Sequence, residues 1–193
     1  DEKINFKKHK IVINYNKNKI DIKGDGKILI KNKYDFIHYQ ISKNNNKFIF
    51  DTKINLKNSK LLIDFLNYEK KENLDALILI KGNIKNNKKI NFDLVSLVEN
   101  NNKISFKNLN LHKDFKIISL DSFNFNYLNN KKIKNQLLLK KNNLNYMIEG
   151  KSFDATKLIN KIMDSNDESS SLFSNLNSKI NIKIKKTFID EVY

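Results

Sequence analysis

The chain has 193 residues and a formal net charge of +16, and it contains no cysteine, proline or tryptophan. The absence of cysteine excludes a disulfide framework, a thiolate metal site and a cysteine nucleophile. Lysine alone carries the positive charge, because the chain has no arginine. Nucleic-acid-binding proteins favour arginine for bidentate contacts with bases and phosphates, so we expect no nucleic-acid partner.

Neither end of the sequence has the pattern of a membrane segment or of a secretory signal. The longest strictly apolar run, Ala76 to Ile80, is far shorter than the roughly 20 residues that cross a bilayer. The N-terminal "DEKINFKKHK" is charged, and the C-terminal "KKTFIDEVY" stops inside a strand-like pattern. We therefore interpret residues 1–193 as one segment of a longer chain.

Strand patterns dominate the sequence, because apolar residues alternate with Lys and Asn. The predicted strands cover residues 11–15, 19–30, 36–41, 47–56, 74–82, 89–95, 103–111, 116–127, 135–141, 144–150 and 178–186. Asn pairs and triplets separate many of them, and Gly24-Asp25-Gly26 is a further turn signal. The short connections predict an antiparallel meander.

The alternation is one-sided, so the sheet has one apolar face that must be hidden or used. Ile180, Ile182 and Ile184, for example, alternate with lysine and asparagine. The alternation slips between Phe106 and Leu109 and between Leu120 and Phe123, which predicts a β-bulge at each place. A barrel, a sandwich and an open trough all satisfy this pattern.

Two segments depart from the strand pattern. Residues 58–71 fit either a helix or a kinked strand. Residues 153–163 predict a short amphipathic helix, with Ser152 or Asp154 as its N-terminal cap. The helix would pack on the sheet through Ala155, Leu158, Ile159 and Ile162. The acidic and serine-rich residues 164–177 predict a flexible loop after it.

No residue pattern proposes an enzyme, a metal site or a cofactor site. His9, His38 and His112 are far apart in sequence and have no carboxylate spaced as a ligand partner. Ser152 and Asp154 lack a nucleophile elbow and a positioned histidine, so capping is their expected role. We expect a protein that is not an enzyme and that has no cofactor.

The stretch "NLNYMIEGKSFDATKLINKIMD" resembles a motif of the AsmA-like family of bacterial envelope proteins, in its YhdP-like branch. In that motif a strand ends in Gly, a G-x-x-[LF]-D-A phrase follows, and a short amphipathic helix precedes further strands. The matching positions are Gly150, Phe153, Asp154 and Ala155. "INLKNSKLLIDFLNYEKK" is similar to a second family pattern but lacks its proline. The resemblance extends over residues 53–186.

The resemblance implies a mainly β fold, with a long curved antiparallel sheet that forms a repeating β-groove or trough. It also implies a periplasmic segment of a protein anchored in the inner membrane by parts of the chain not present here. Phospholipid acyl chains would be the ligand, shielded during transport toward the outer membrane. The implied groove lining is Ile104, Phe106, Leu109, Leu111, Phe123, Phe125, Tyr127, Leu137, Leu139, Leu144, Tyr146, Ile148, Ile180, Ile182 and Ile184.

Two other functions fit the same residues. A closed sandwich or solenoid would make the chain a structural or adhesive β-domain with no lipid ligand. A lysine-rich polar face could instead bind a polyanion such as an anionic membrane surface. Lipid handling is the leading hypothesis, and the sequence identifies no envelope protein as a partner.

Overall fold

A computed structural model of the protein describes residues 4–85, 89–143, 145–164 and 179–190, without the side chains of 161–164. The structure is mainly β, as predicted. Its strands are β1 (Phe6–Asn16), β2 (Lys19–Ile30), β3 (Lys33–Asn44), β4 (Lys47–Leu56), β5 (Leu61–Ile63), β6 (Tyr68–Lys70), β7 (Ala76–Lys85), β8 (Lys89–Glu99), β9 (Asn102–His112), β10 (Ile117–Ser119), β11 (Ser122–Leu128), β12 (Lys134–Asn142), β13 (Asn145–Asp154), β14 (Ile180–Ile184) and β15 (Thr187–Phe188). A 3-10 turn (Asp64–Leu66) and the helix α1 (Thr156–Asp164) complete the elements.

Thirteen of these strands form one large sheet. Its order is β1-β2-β3-β4-β7-β8-β9-β11-β12-β13-β14, with β10 added to β9 and β15 to β13. Strands of this sheet follow one another in chain order and run antiparallel as far as β13, which is the predicted meander, while β5 and β6 lie outside it between β4 and β7. Within the described residues β1 and β14 are the two ends of this order, so the sheet is open.

Asparagine makes several of the hairpin turns, as the sequence predicts. Asn45, Asn100 and Asn143 lie between strands with φ of 49°, 49° and 55°. Asparagine tolerates this left-handed backbone better than most residues, because its side chain can bond to the nearby backbone. In this glycine-poor chain it takes the place that Asn-Gly turns often fill.

The predicted turn at Gly24-Asp25-Gly26 is wrong, because these residues lie in the middle of β2. A Cβ on Gly24 would lie 2.2 Å from the ring of Tyr39. A Cβ on Gly26 would lie 2.4 Å from Nδ1 of His9. The glycines therefore leave room for the Tyr39 ring and for His9.

The two predicted bulges correspond to irregular places in the sheet. Asn108 has a left-handed φ of 49°, and neither Asn108 nor Asp93 opposite it is paired in the β8–β9 ladder. Between Ser119 and Ser122 the chain leaves β10 and enters β11, and the register of β10 with β9 shifts between Ile117 and Ser119. Both irregularities keep the apolar residues of this region on one face.

The helical interpretation of residues 58–71 is wrong, and the kinked-strand interpretation is closer. β5 and β6 pair as a small antiparallel hairpin around the 3-10 turn. The turn ends at Asn67, whose left-handed backbone (φ 50°, ψ 34°) cannot continue a helix. The side chains of this segment therefore alternate as on a strand, and Leu66, Tyr68 and Lys70 are buried.

Helix α1 starts three residues later than predicted. Phe153 and Asp154 are the last residues of β13, where they pair with Thr187 and Phe188 of β15. β14 and β15 run parallel to β13, so the meander ends there and the connection crosses over through α1. Most of the predicted loop 164–177 lies outside the described residues, as does Leu144, and so does the side chain of Ile162.

Candidate functional site

One face of the large sheet is apolar from strand to strand, and we call it the inner face. The register puts directly paired residues on the same face. One continuous row runs through Ile22, Ile41, Phe50, Gly82, Phe92 and Leu109 on β2, β3, β4, β7, β8 and β9. The opposite, outer face carries most of the Lys, Asp and Asn of these strands. The two faces therefore offer different surfaces to a partner.

A cap covers one end of the inner face. It consists of residues 59–70, which include the β5–β6 hairpin, together with α1. Leu66 and Tyr68 of the cap belong to one buried cluster with the sheet residues Leu97, Ile104 and Phe125. Leu158 and Ile159 of α1, two of the residues predicted to pack on the sheet, lie against the same cluster. Ala155, just before the helix, is 7% exposed in this cluster.

Two tyrosines join the cap to the sheet. The hydroxyl of Tyr127 on β11 donates to the carbonyl oxygen of Leu66 at 2.9 Å. Its ring meets that of Tyr68 edge-on, with 5.6 Å between centroids. The Tyr68 hydroxyl donates to Glu99 at 2.5 Å, and burial together with this carboxylate raises the pKa of Tyr68. Both hydroxyls therefore stay protonated donors that fix the cap.

Two buried charged side chains, Asp35 and Lys70, hold the loop that leads into the cap. Asp35 is buried and accepts backbone N–H groups of Lys57, Asn58 and Ser59 at 2.7–2.9 Å. Burial alone would raise the pKa of Asp35, but these hydrogen bonds outweigh it, and the pKa lies below its usual value. From the other side, the buried Lys70 ammonium donates to the carbonyls of Lys57 and Ser59 at 2.8 Å. Burial lowers the pKa of Lys70.

Asp154 ties α1 to the sheet and to the cap. It accepts the N–H of Thr156 at 3.2 Å, which confirms that Asp154 satisfies the start of the helix. Its other carboxylate oxygen accepts the side chains of Asn129 at 2.6 Å and Asn67 at 3.4 Å. Burial alone would raise the pKa of Asp154, but its hydrogen bonds with Thr156 and Asn67 outweigh burial. The pKa of Asp154 therefore lies below its usual value. Ser152 instead donates to the carbonyl of Lys134.

The inner face is uncovered at the other end of β2, β3, β4, β7, β8 and β9, and we call this area the open floor. None of its residues is fully buried, and only Leu109 packs against a buried cluster. Within the described residues no element lies over it. Its side chains are Ile20, Ile22, Ile41, Phe48, Phe50, Ile84, Ile90, Phe92, Leu109 and Leu111.

Two phenylalanine rings contact each other on the open floor, across a glycine of the strand between them. Phe50 and Phe92 meet edge-on with 5.8 Å between ring centroids. Gly82 lies between them in the row, and a Cβ there would lie 2.8 Å from Cζ of Phe50 and 2.1 Å from the Asn91 carbonyl oxygen. The glycine thus lets the Phe50 ring lie across β7. At the outer rim of the floor, Lys43 places its ammonium 5.3 Å from the ring centroid of Phe48.

The structure divides the predicted groove lining among four places. Covered by the cap or packed in its cluster are Ile104, Phe125, Tyr127, Leu137 and, in part, Phe106, Phe123, Ile148 and Ile184. In a second small cluster with Leu120 are Leu139 and Tyr146. On the open floor are Leu109 and Leu111. Ile180 and Ile182 stand on the edge strand β14 and are exposed.

Most of the open floor was not among the predicted lining residues. Its members on β2, β3, β4, β7 and β8 alternate with lysine and asparagine as clearly as those on later strands. That signal showed they share a face. It did not show which end of the face residues 59–70 would cover.

Each of the three histidines lies close to one other titratable side chain. His9 lies 3.2 Å from the Tyr39 hydroxyl, His38 2.6 Å from Asp25, and His112 2.8 Å from Asp114. In the described part of the chain, no three His, Asp or Glu side chains are arranged to hold a metal ion. Nor does any helix there have the length and apolar character to span a bilayer.

No protein-family model, curated protein or solved structure matches this chain.

Proposed function

We propose that this chain is a non-catalytic lipid-handling module, and that its open floor shields phospholipid acyl chains from water. The observation that carries the proposal is the contrast within one face. The same apolar face is buried by a cap at one end and left only partly buried over a broad area at the other. Exposed apolar areas of this kind mark binding surfaces on soluble domains.

The chemistry of the open floor suits an acyl chain better than a polar ligand. Its ten side chains are aliphatic or phenylalanine and make no directional bonds. Shielding a methylene group from water contributes about 0.8 kcal/mol, which adds up along a chain without fixing its position. Because no hydrogen bond sets a register, a bound chain could slide across the floor. Lys43 at the rim offers a cation to an anionic headgroup.

The resemblance to AsmA-like envelope proteins of the YhdP-like branch gives this proposal its setting. In that setting the segment belongs to a periplasmic bridge, anchored in the inner membrane by other parts of the chain. Phospholipid would move along it toward the outer membrane. The open sheet, which ends in β1 and β14, is compatible with a groove that continues on either side.

Lipid extraction and native mass spectrometry of the protein purified from a bacterial envelope test the proposal. We expect co-purified phospholipid. Ile41→Asp places a carboxylate on the open floor and should reduce the bound lipid at least about tenfold, since a buried charge is costly in an apolar site. Ile49→Asp is the matched control, because Ile49 lies on the outer face of β4 and is 47% exposed.

Two results would contradict the proposal. One is parent protein that carries no lipid after gentle purification. The other is equal lipid on the Ile41→Asp and Ile49→Asp variants, with circular dichroism showing that both are folded. Either result would favour a structural or adhesive β-domain.

A further inference from the structure

Three lysines lie directly opposite one another at the open end of the sheet, and we call them the lysine row. Lys47 of β4 pairs with Lys85 of β7, and Lys85 pairs with Lys89 of β8. All three side chains are exposed. Directly paired residues have Cβ atoms about 4.5–5.5 Å apart, so three positive side chains are held along one line. Like charges directly opposite each other destabilise a sheet, so the row costs stability unless an anion binds to it.

The described residues around the lysine row supply no neutralising carboxylate. None of the three lysines forms an ion pair with a carboxylate in the part of the chain that the structure describes. By contrast, Lys81 lies directly opposite Asp51 and forms an ion pair with it at 2.7 Å. The next residues inward on the same face as the row are Ile49, Asn83 and Asn91, which carry no charge.

Two carboxylates at the same end of the sheet already have partners. Asp21 on β2 accepts the Ser42 hydroxyl at 2.5 Å and lies 2.9 Å from the Lys19 ammonium. Asp114, which follows β9, lies 2.8 Å from Nδ1 of His112. An anion from outside the chain would therefore meet cations at the lysine row that these carboxylates do not neutralise.

The lysine row borders the open floor. One residue further along each strand, the last row of the inner face consists of Ile20, Lys43, Phe48, Ile84, Ile90 and Leu111. Lys43 is exposed among these apolar residues, with its ammonium 5.3 Å from the ring centroid of Phe48. A ligand at this border meets cations at the end of the sheet and apolar side chains directly beside them. An amphiphile with an anionic head complements both.

We infer that the lysine row binds the phosphate of an anionic phospholipid whose acyl chains lie on the open floor, and that it selects this lipid over zwitterionic phospholipid. The inference rests on the proposed function. The headgroup of phosphatidylglycerol carries a net negative charge and no cation. Phosphatidylethanolamine also carries an ammonium group, which would add a further positive charge beside the row. Lysine is a point charge on a flexible stem, so it holds a phosphate without fixing its geometry and the lipid stays free to move.

Lipid uptake from vesicles tests the selection. The protein is incubated with vesicles of equal parts phosphatidylethanolamine and phosphatidylglycerol and re-isolated, and its bound lipid is measured by mass spectrometry. We expect phosphatidylglycerol to be enriched at least about fivefold, the factor that corresponds to one lysine near an anionic lipid. Raising the ionic strength to about 1 M, where the Debye length is about 3 Å, should abolish the enrichment.

A variant of the lysine row combines Lys47→Gln, Lys85→Gln and Lys89→Gln. It should still take up phospholipid, because the open floor is unchanged, but without the enrichment. Since the three lysines repel one another, the variant should be at least as stable in urea as the parent protein. Excess glycerol 3-phosphate, which has the phosphate but no acyl chain, should not displace lipid from the parent protein.

The matched control removes the same charge elsewhere and combines Lys23→Gln, Lys53→Gln and Lys107→Gln. These three lysines are also exposed on the outer face, but they lie nearer the capped end. The control variant should keep the enrichment of the parent protein.

The possible outcomes separate this inference from the proposed function. If the parent protein takes up no phospholipid, both fail. If phospholipid binds in the ratio supplied, or the lysine-row variant keeps the enrichment, the inference fails and the lipid-handling function stands. Loss of the enrichment in the control variant, displacement of lipid by glycerol 3-phosphate, or a lysine-row variant less stable than the parent protein would also overturn the inference.

Discussion

The capped end and the open floor are two parts of one apolar face, and they are held by different forces. At the capped end, Tyr68, Tyr127, Asp35, Lys70 and Asp154 make directional hydrogen bonds around a buried cluster. On the open floor the side chains contact one another and solvent. The same alternation of residues thus yields a rigid core where a cover exists and an adaptable surface where it does not.

The difference shows how a sheet of this size can be stable while part of its apolar face stays open. Buried hydrogen bonds to charged groups contribute about 1.5–3 kcal/mol each, and they fix one geometry. Dispersion and solvent exclusion on the floor are weaker per contact but tolerate different occupants. In the function that we propose, stability and lipid binding lie at opposite ends of the same face.

The largest expected change in the free energy of unfolding comes from a buried phenylalanine at the capped end, compared with one on the open floor. Phe125→Ala removes a ring that is 5% exposed at the capped end and should reduce the free energy of unfolding by about 3–5 kcal/mol. Phe50→Ala removes a partly buried ring from the open floor and should cost about 1–2 kcal/mol. Urea unfolding with unchanged m-values measures both. Equal losses would show that the two ends are packed alike.

The next comparison concerns two lysines of the same segment. Lys70→Met leaves the carbonyls of Lys57 and Ser59 without their donor, so unfolding should become easier by about 1–3 kcal/mol. Lys60→Met removes only a partly exposed ion pair with Glu69 at 3.0 Å and should cost less than about 1 kcal/mol. Urea unfolding of the two variants measures both losses. If Lys70→Met were neutral, the loop would not depend on its ammonium group.

A smaller effect is expected for helix α1. Leu158→Ala reduces a partly buried contact with the capped cluster and should lower the free energy of unfolding by about 1 kcal/mol. Leu74→Ala, at a residue that is 40% exposed before β7, is the control and should change it by less than about 0.5 kcal/mol. Thermal unfolding at fixed protein concentration measures the pair. If the Leu158→Ala protein were as stable as the control, α1 would not contribute to the stability of the cap.

The smallest expected effect is a change in how stability depends on pH, and it appears only at acidic pH. The folded-state pKa of Asp35 is depressed, because its hydrogen bonds to the 57–59 backbone outweigh burial. The contribution of Asp35 is therefore complete above the ordinary carboxyl pKa of about 3.9, and it is lost as the pH falls through the folded value. Asp35→Asn should flatten the decline of stability below about pH 4. Asp75→Asn, at an exposed side chain, should keep the slope of the parent protein.

Local sequence patterns predicted much of the sheet. The bounds of β2 and β4 agree with the predicted 19–30 and 47–56, because alternation and flanking Asn or Lys turns both mark them. The pattern failed where a tertiary contact outweighed it. Gly24 and Gly26 look like a turn, yet rings from β1 and β3 lie over them. Phe153 and Asp154 look helical, yet β15 pairs with them.

The sequence predicted that an apolar face exists, but not which part of it stays uncovered. Alternation identified an apolar face, and those of the chosen lining residues that the structure describes lie on that face. Which of them stay open depends on the hairpin at 59–70, whose short strands gave an ambiguous pattern. Leu66 and Tyr68 reach residues more than 25 positions away in sequence. Contacts at that separation leave no local period to detect.

The sequence by itself determined that this protein is a mainly β sheet with one apolar face, because period-two alternation acts on each strand independently. Only the tertiary structure decided that the 59–70 hairpin and α1 cover one end of that face and leave the other open. The physical reason is that covering depends on long-range hydrogen bonds, such as Tyr127 to Leu66 and Asp154 to Asn129, which form only after the strands are in register.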